Sequence, residues 1–188
     1  MRGRRATFDT APRIWKIPPM PLLSGLRVTH SSIHGYGVVT TRRFARGEIV
    51  VEGDGVLYRE DDDFDDTYAL VLPGWDAAGH DDPEAAPVYF DLTDQTRWIN
   101  HACDPNTEID SRYDHERGAI RAWWVATRDI EIGEELTYDY AFVGALAQPC
   151  ACNTPACRGL IVDHDPEELA AVPEELRHHL RPAAGRAA

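Results

Sequence analysis

The chain has 188 residues, with 19 Lys plus Arg against 32 Asp plus Glu, a formal net charge of −13. That length suits one domain with short additions, and 43% apolar with 27% charged residues is ordinary globular usage, which excludes a collagen-like, membrane-spanning or wholly disordered chain. So acidic a chain lacks the basic face that broad phosphate-backbone binding needs, so no direct nucleic-acid ligand is expected and a cationic partner is favoured.

Residues 1–23 read as a flexible arm, rich in proline (Pro12, Pro18, Pro19, Pro21) and holding the only lysine, Lys16. No apolar stretch follows Arg2, Arg4 and Arg5, so no secretory signal is expected and the chain reads as intracellular, cytoplasmic if bacterial and nuclear if eukaryotic. From Gly25 to Glu60 short β-branched runs alternate with glycine turns: Gly37 to Arg42, a turn at Ala45-Arg-Gly47, then Glu48 to Val51 and Val56 to Tyr58. Residues 51–95 hold 14 acids and one base, Arg59, a local net of −13, so the remaining 143 residues sum to zero. Glu60 to Asp66 and Asp81 to Glu84 are either solvated loops or an acidic lip that steers a basic peptide. Val88 to Leu92 and Ala119 to Thr127 predict strands, the second fed by a hairpin loop over Tyr113 to Gly118. Asp165 to Arg181 predicts helix, capped by Asp165, opened by Pro166 and split at Pro173.

Three of the four cysteines form a C-x-C-x4-C cluster, Cys150, Cys152 and Cys157, bracketed by proline and glycine. Structural zinc takes four tetrahedral ligands, and the remaining cysteine, Cys103, is the expected fourth. A site with four thiolates is closed to water and therefore structural, which also argues against a zinc-dependent hydrolase. Cys103 lies in Arg97-Trp-Ile-Asn-His-Ala-Cys-Asp-Pro-Asn106, so a Cys103–His101 nucleophile pair is a rival reading. Asn100 and His101 would otherwise satisfy buried backbone groups around a tight turn. In Glu135-Leu-Thr-Tyr-Asp-Tyr140 the two tyrosines share a face if the segment is extended. The Gly35-Tyr36-Gly37 turn would let a ligand approach the backbone, but it lacks the third glycine and following helix of a dinucleotide fingerprint.

In this order, the Gly35–Gly37 turn, Arg97-Trp-Ile-Asn-His-Ala-Cys103, Glu135-Leu-Thr-Tyr-Asp-Tyr140 and the C-terminal cysteines resemble the SET-domain family of protein lysine methyltransferases over about residues 24–160. The resemblance implies a mainly β fold of small curved sheets with knot-like threading, short helices and a C-terminal helical appendage. It divides the chain into the arm, a SET domain over 24–145 with an acidic insert at about 59–87, a post-SET zinc loop over 146–162 and a tail over 163–188. It implies that His34, Gly35, Tyr36, Gly37, Arg97, Asn100, His101 and Tyr140 bind S-adenosylmethionine. By the same resemblance Tyr140 is the main active-site tyrosine, Tyr138 sets the number of methyls added, and Tyr68 lines the substrate channel. The expected substrate is a lysine in a basic protein or peptide, histone or histone-like, with mono- or dimethylation as product. Two departures stand out: Trp98 replaces the family's Phe, and Asp94-Gln95 stands where Gly-Asn is usual. The rival from another class is a non-catalytic module that keeps the fold and binds cofactor or peptide without turnover.

Overall fold

The computed structural model describes residues 24–82 and 84–181. The expected arm over 1–23, with Lys16, lies outside the described residues. Strands β1 (Leu26–His30) and β2 (Tyr36–Thr40) form an antiparallel pair, with His30 opposite Tyr36. They are followed by β3 (Ile49–Gly53), β4 (Gly55–Tyr58), β5 (Ala69–Leu72), β6 (Gly74–Trp75), β7 (Asp81–Asp82) and β8 (Val88–Leu92). After a short 3-10 turn at Gln95–Trp98 come β9 (Asn100–His101), β10 (Thr107–Asp114), β11 (Ala119–Ala126) and β12 (Thr137–Tyr138). The chain closes with β13 (Gln148–Pro149), β14 (Leu160–Ile161), the helix α1 (Pro166–Ala171) and a 3-10 turn at Glu174–His179.

Two three-stranded sheets, in the orders β10-β11-β3 and β4-β8-β5, carry most of the core. Period-two patterning explains why: in β11 Ile120, Ala122, Trp124 and Ala126 are buried while the residues between them are not. Trp124 is fully buried beneath Tyr138, rings T-shaped at 5.9 Å, so the core directly supports the strand that carries the site. The expected strands at Val88–Leu92 and Ala119–Thr127 are present, whereas β5, β6 and β7 arise inside the acidic stretch. The run Glu60–Asp66 is exposed but anchored, because Phe64 stacks on Tyr58 at 4.2 Å and meets Tyr89 edge-on.

The segment that bears the two tyrosines is laced through the middle of the molecule. Leu136 N–H donates to Val38 C=O (2.7 Å), and β12 pairs with β9 in parallel, Thr137 with Asn100 and Tyr138 with His101. Buried Asn106 braces it, accepting from Thr137 N–H (2.9 Å) and donating to Glu135 C=O (2.9 Å). The tail follows the predicted pattern, with the Asp165 carboxylate accepting from Glu167 N–H (2.7 Å) at the start of α1. Val172, Leu169, Leu176 and Leu180 then close a second small core over Ala147, Leu160 and Val162. The tail is therefore packed onto the segment that follows the tyrosines.

Candidate functional site

Asn100 organises the first wall of the site. Its side-chain amide fans out to three acceptors: His34 C=O (3.2 Å), Tyr36 C=O (2.8 Å) and the Glu135 carboxylate (2.8 Å). Glu135 in turn accepts from the Ser31 hydroxyl at 2.7 and 2.9 Å, so loop 31–37 is held from below by two polar side chains. Both glycines of the turn are needed for this. Gly35 sits at φ +49 with open space beside it, and a Cβ on Gly37 would collide with the Glu135 carboxylate. The result is a loop with exposed backbone and an exposed Tyr36 ring stacked on His30 at 4.9 Å.

A chain of rings leads inward from that loop. Tyr36 meets Trp98 at 5.6 Å, Trp98 meets Tyr68 edge-on at 5.4 Å, and the Arg97 guanidinium lies 4.1 Å over the Tyr68 ring. Trp98, the departure from the family pattern, thus joins the predicted cofactor loop to the predicted channel tyrosine. Tyr68 is close enough to Tyr140 to help raise the pKa of its phenol.

Tyr140 lies among Tyr138 (4.7 Å), His101 (5.4 Å) and Phe142 (5.6 Å). Its hydroxyl donates to Ile99 C=O (2.9 Å), which leaves the oxygen lone pairs as the free pole of the group. Burial, with Tyr68 and Glu135 adding to it, pushes the Tyr140 phenol well above its ordinary value. Burial and then Tyr140 do the same to Tyr138, so both phenols stay neutral at any working pH. The strand spacing read from the sequence does bring the two tyrosines side by side.

His101 links this pocket to the cysteines. Burial pushes its pKa down to about 4, opposed by Asp139 and reinforced by Arg158, so the ring is neutral near pH 7. Its Nδ1 accepts from Tyr140 N–H (3.2 Å), which leaves the ring proton on Nε2, 3.3 Å from the Cys103 sulfur. Nδ1 also lies 3.4 Å from the Asp139 carboxylate, but a neutral ring that accepts at Nδ1 makes no ion pair there. His101 therefore satisfies a buried backbone donor, as the tight-turn reading expects, while also touching Cys103.

Cys103, Cys150, Cys152 and Cys157 converge, with all four sulfurs within 4.8 Å of one another and Cys103 and Cys150 3.7 Å apart. Tetrahedral thiolates at about 2.3 Å from zinc stand about 3.8 Å apart, so this donor set fits that ion. Backbone N–H groups of Arg158 (to Cys103, 3.3 Å), Gly159 (to Cys157, 3.4 Å) and Cys152 (to Cys150, 3.4 Å) point at the sulfurs, as thiolate ligands require. A Cys103 nucleophile fits less well, since the other three sulfurs surround it and burial raises its own pKa to about 11.

Three residues not singled out as site residues complete the arrangement. Glu135 fixes the loop, Asp139 stands between the tyrosines, and Arg158 grips Asp139 through two bonds of 2.7 Å. The available signals were local only: a carboxylate between two tyrosines, and an arginine directly after a cysteine ligand. A surface cleft of about 320 Å³ at the end of the β10–β11 hairpin, lined by Tyr113, His115 and Trp123 among others, contains none of the expected site residues.

A family model for the SET domain matches residues 35–141 of this chain. Histone-lysine N-methyltransferase 2B of Homo sapiens is 34% identical over 168 residues, covering 82% of this chain and 6% of that protein. Histone-lysine N-methyltransferase TRX1 of Oryza sativa subsp. japonica is 34% identical over 152 residues, covering 75% of this chain and 14% of that one. Among solved structures, KRYPTONITE in complex with mCHH DNA, H3(1-15) peptide and SAH is similar with a TM-score of 0.57 and 23% identity. That likeness covers 72% of this chain and 29% of the other, and it agrees with the mainly β fold. The chain spans only a small part of the length of these curated relatives.

Proposed function

Because the chain belongs to the SET-domain family, the match spanning more than half of its residues, we propose that it transfers a methyl group from S-adenosylmethionine to the side-chain amine of lysine in a basic protein or peptide. The observation that carries this reading is the cluster of aromatic rings around Tyr140, whose hydroxyl proton is committed to Ile99 C=O. The names of the relatives and the H3 peptide and SAH of the similar solved structure support it.

Bound S-adenosylmethionine would supply a methyl group on a sulfonium sulfur, its C–S bond breaking as the lysine lone pair forms the new N–C bond. The residues that would hold it are the backbone of loop 34–37 with Asn100 beneath it, His101, Arg97 and Tyr140. Lysine, with a pKa near about 10.4 in water, must first release its proton to solvent. Burial between Tyr68, Tyr138 and Tyr140 disfavours an ammonium, and the Arg97 charge over Tyr68 acts in the same direction. Neither Tyr138 nor Tyr140 would take that proton as a phenolate, because both are held neutral. The free lone pairs of the Tyr140 oxygen would face the polarised methyl and stabilise its partial positive charge in the transition state. Zinc at the four cysteines would tie Cys103 to the segment that closes the pocket, with no open position for substrate.

The direct test is transfer of a labelled methyl from S-adenosylmethionine to a basic peptide with one lysine. Labelling of that peptide, and none of its Arg-substituted twin, is expected.

Tyr138 would set product multiplicity. Tyr138→Phe removes an oxygen from the pocket wall and leaves room for an already methylated amine, so products should move toward higher methylation. A product mass distribution identical to wild type would contradict that role.

The acidic run would serve substrate capture. Replacing Glu60, Asp61, Asp62, Asp63, Asp65 and Asp66 by their amides should raise KM for a basic peptide several-fold at low salt and little at high salt. Equal KM ratios at both salts would leave the run as a solvated segment.

A further inference from the structure

We infer that Asp139 and Arg158 are positioning residues that couple zinc binding at the cysteine cluster to cofactor binding at the Tyr140 pocket, so that each tightens the other through their ion pair. The inference rests on the methyltransferase reading of that pocket.

The argument begins with where the two residues stand. Asp139 lies between Tyr138 and Tyr140, and Arg158 lies between Cys157 and Gly159. The guanidinium holds the carboxylate in a fork, Nη1 to Oδ2 and Nη2 to Oδ1, both at 2.7 Å. Their side chains are 15% and 28% exposed, so water screens the pair little and loss of one partner leaves the other as an unpaired, mostly buried charge.

Each member also governs its own side. Asp139 Oδ1 accepts from Ala141 N–H (3.1 Å), which fixes the residue after Tyr140 at φ +46, a conformation alanine seldom adopts. Arg158 donates its backbone N–H to the Cys103 sulfur (3.3 Å), and its C=O accepts from Arg181 N–H (2.8 Å). The turn that aims Tyr140 is therefore held from Asp139, and the bond to the Cys103 sulfur comes from Arg158's own backbone. An ion at the cysteines would fix Cys157 and Cys103 on either side of that contact, hold the fork in register, and so hold the turn. By reciprocity, a ligand that orders the turn would hold the cysteines. A second link through His101 runs from Cys103 to Tyr140 N–H, so some coupling should survive without the pair.

The test measures zinc affinity of the full chain by chelator competition, with and without saturating S-adenosylhomocysteine. Wild type should hold zinc on the order of tenfold more tightly when that compound is bound. In Asp139→Asn and Arg158→Met the ratio should fall to within about twofold of one, and the double variant should lose no more than either single. Arg158→Lys, which keeps the charge without the fork, should retain part of it. If Arg158→Met fails to fold by circular dichroism, Asp139→Asn and Arg158→Lys carry the same comparison. A pair that only stabilised the fold would lower the melting temperature and leave the ratio intact. Either a wild-type ratio of one with normal S-adenosylhomocysteine binding, or an unchanged ratio in the variants, overturns the coupling alone. Absence of S-adenosylhomocysteine binding to wild type overturns the methyltransferase reading and this inference with it.

Discussion

Tyr140→Phe is expected to lower turnover by on the order of a hundredfold while changing cofactor affinity by less than about threefold, measured by steady-state kinetics and calorimetry. The two effects separate because the substitution keeps the ring that packs against Tyr138, His101 and Phe142 and removes only the oxygen. That oxygen gives its proton to Ile99 C=O, so its lone pairs are left free to accept before any substrate arrives. A preoriented dipole needs no reorganisation as charge develops on the methyl group, which is why its loss should fall on kcat. The variant also leaves Ile99 C=O without its donor, costing roughly 1 kcal/mol of stability. A turnover equal to wild type would mean that the hydroxyl serves only that carbonyl.

Cys152→Ser is expected to abolish stoichiometric zinc binding and to lower the melting temperature by roughly 10 °C or more, read by atomic absorption and thermal denaturation. A structural zinc ion contributes its binding energy to folding, and a serine hydroxyl does not replace a thiolate at neutral pH. The consequence reaches beyond the cluster, because Cys103 adjoins β9, which pairs with the strand that carries Tyr138. In the metal-free protein burial raises the Cys103 thiol to about 11 and raises Cys150 further, so the ion must displace protons there. Cys152 is different: hydrogen bonds from the Cys103 backbone and from Thr154 outweigh its burial and bring it down to about 6. Zinc affinity should accordingly rise with pH between about 6 and 9, because Cys103 and Cys150 still carry protons there and a falling proton concentration favours their displacement. Retention of one zinc per chain by Cys152→Ser would contradict the four-thiolate site.

The parts of the site visible in the sequence are those written in local spacing. Cys150, Cys152 and Cys157 lie within one turn, and Cys103 is the cysteine left over, so their convergence could be anticipated. The pairing of Tyr138 with Tyr140 follows from strand periodicity, and the helix after Asp165 follows from its cap and from Pro166. Strand β7 was hidden because it is Asp81 and Asp82 alone, and β5 because Ala69-Leu-Val-Leu72 is short and alternates no polar residue; burial of Leu70 and Leu72 against β8 makes that stretch a strand. The second core was only half legible: Leu169, Val172, Leu176 and Leu180 recur at helical spacing across Pro173, but their partners Ala147, Leu160 and Val162 lie in another segment and no spacing announces that meeting. Glu135, Asp139 and Arg158 were hidden for another reason. Each acts through a partner distant in sequence, such as Ser31 for Glu135, and no spacing within one strand encodes that meeting.

The measurement closest to the central claim is intact-mass analysis of a panel of basic lysine peptides and core histones incubated with zinc-loaded protein and S-adenosylmethionine, with Tyr140→Phe as control. The account predicts the gain of whole methyl masses on a lysine with wild type and a strongly reduced gain with the variant. S-adenosylhomocysteine binding without any methyl gain across the panel would contradict catalysis and support a non-catalytic module. Equal gain with Tyr140→Phe would contradict the assignment of the reaction to this pocket.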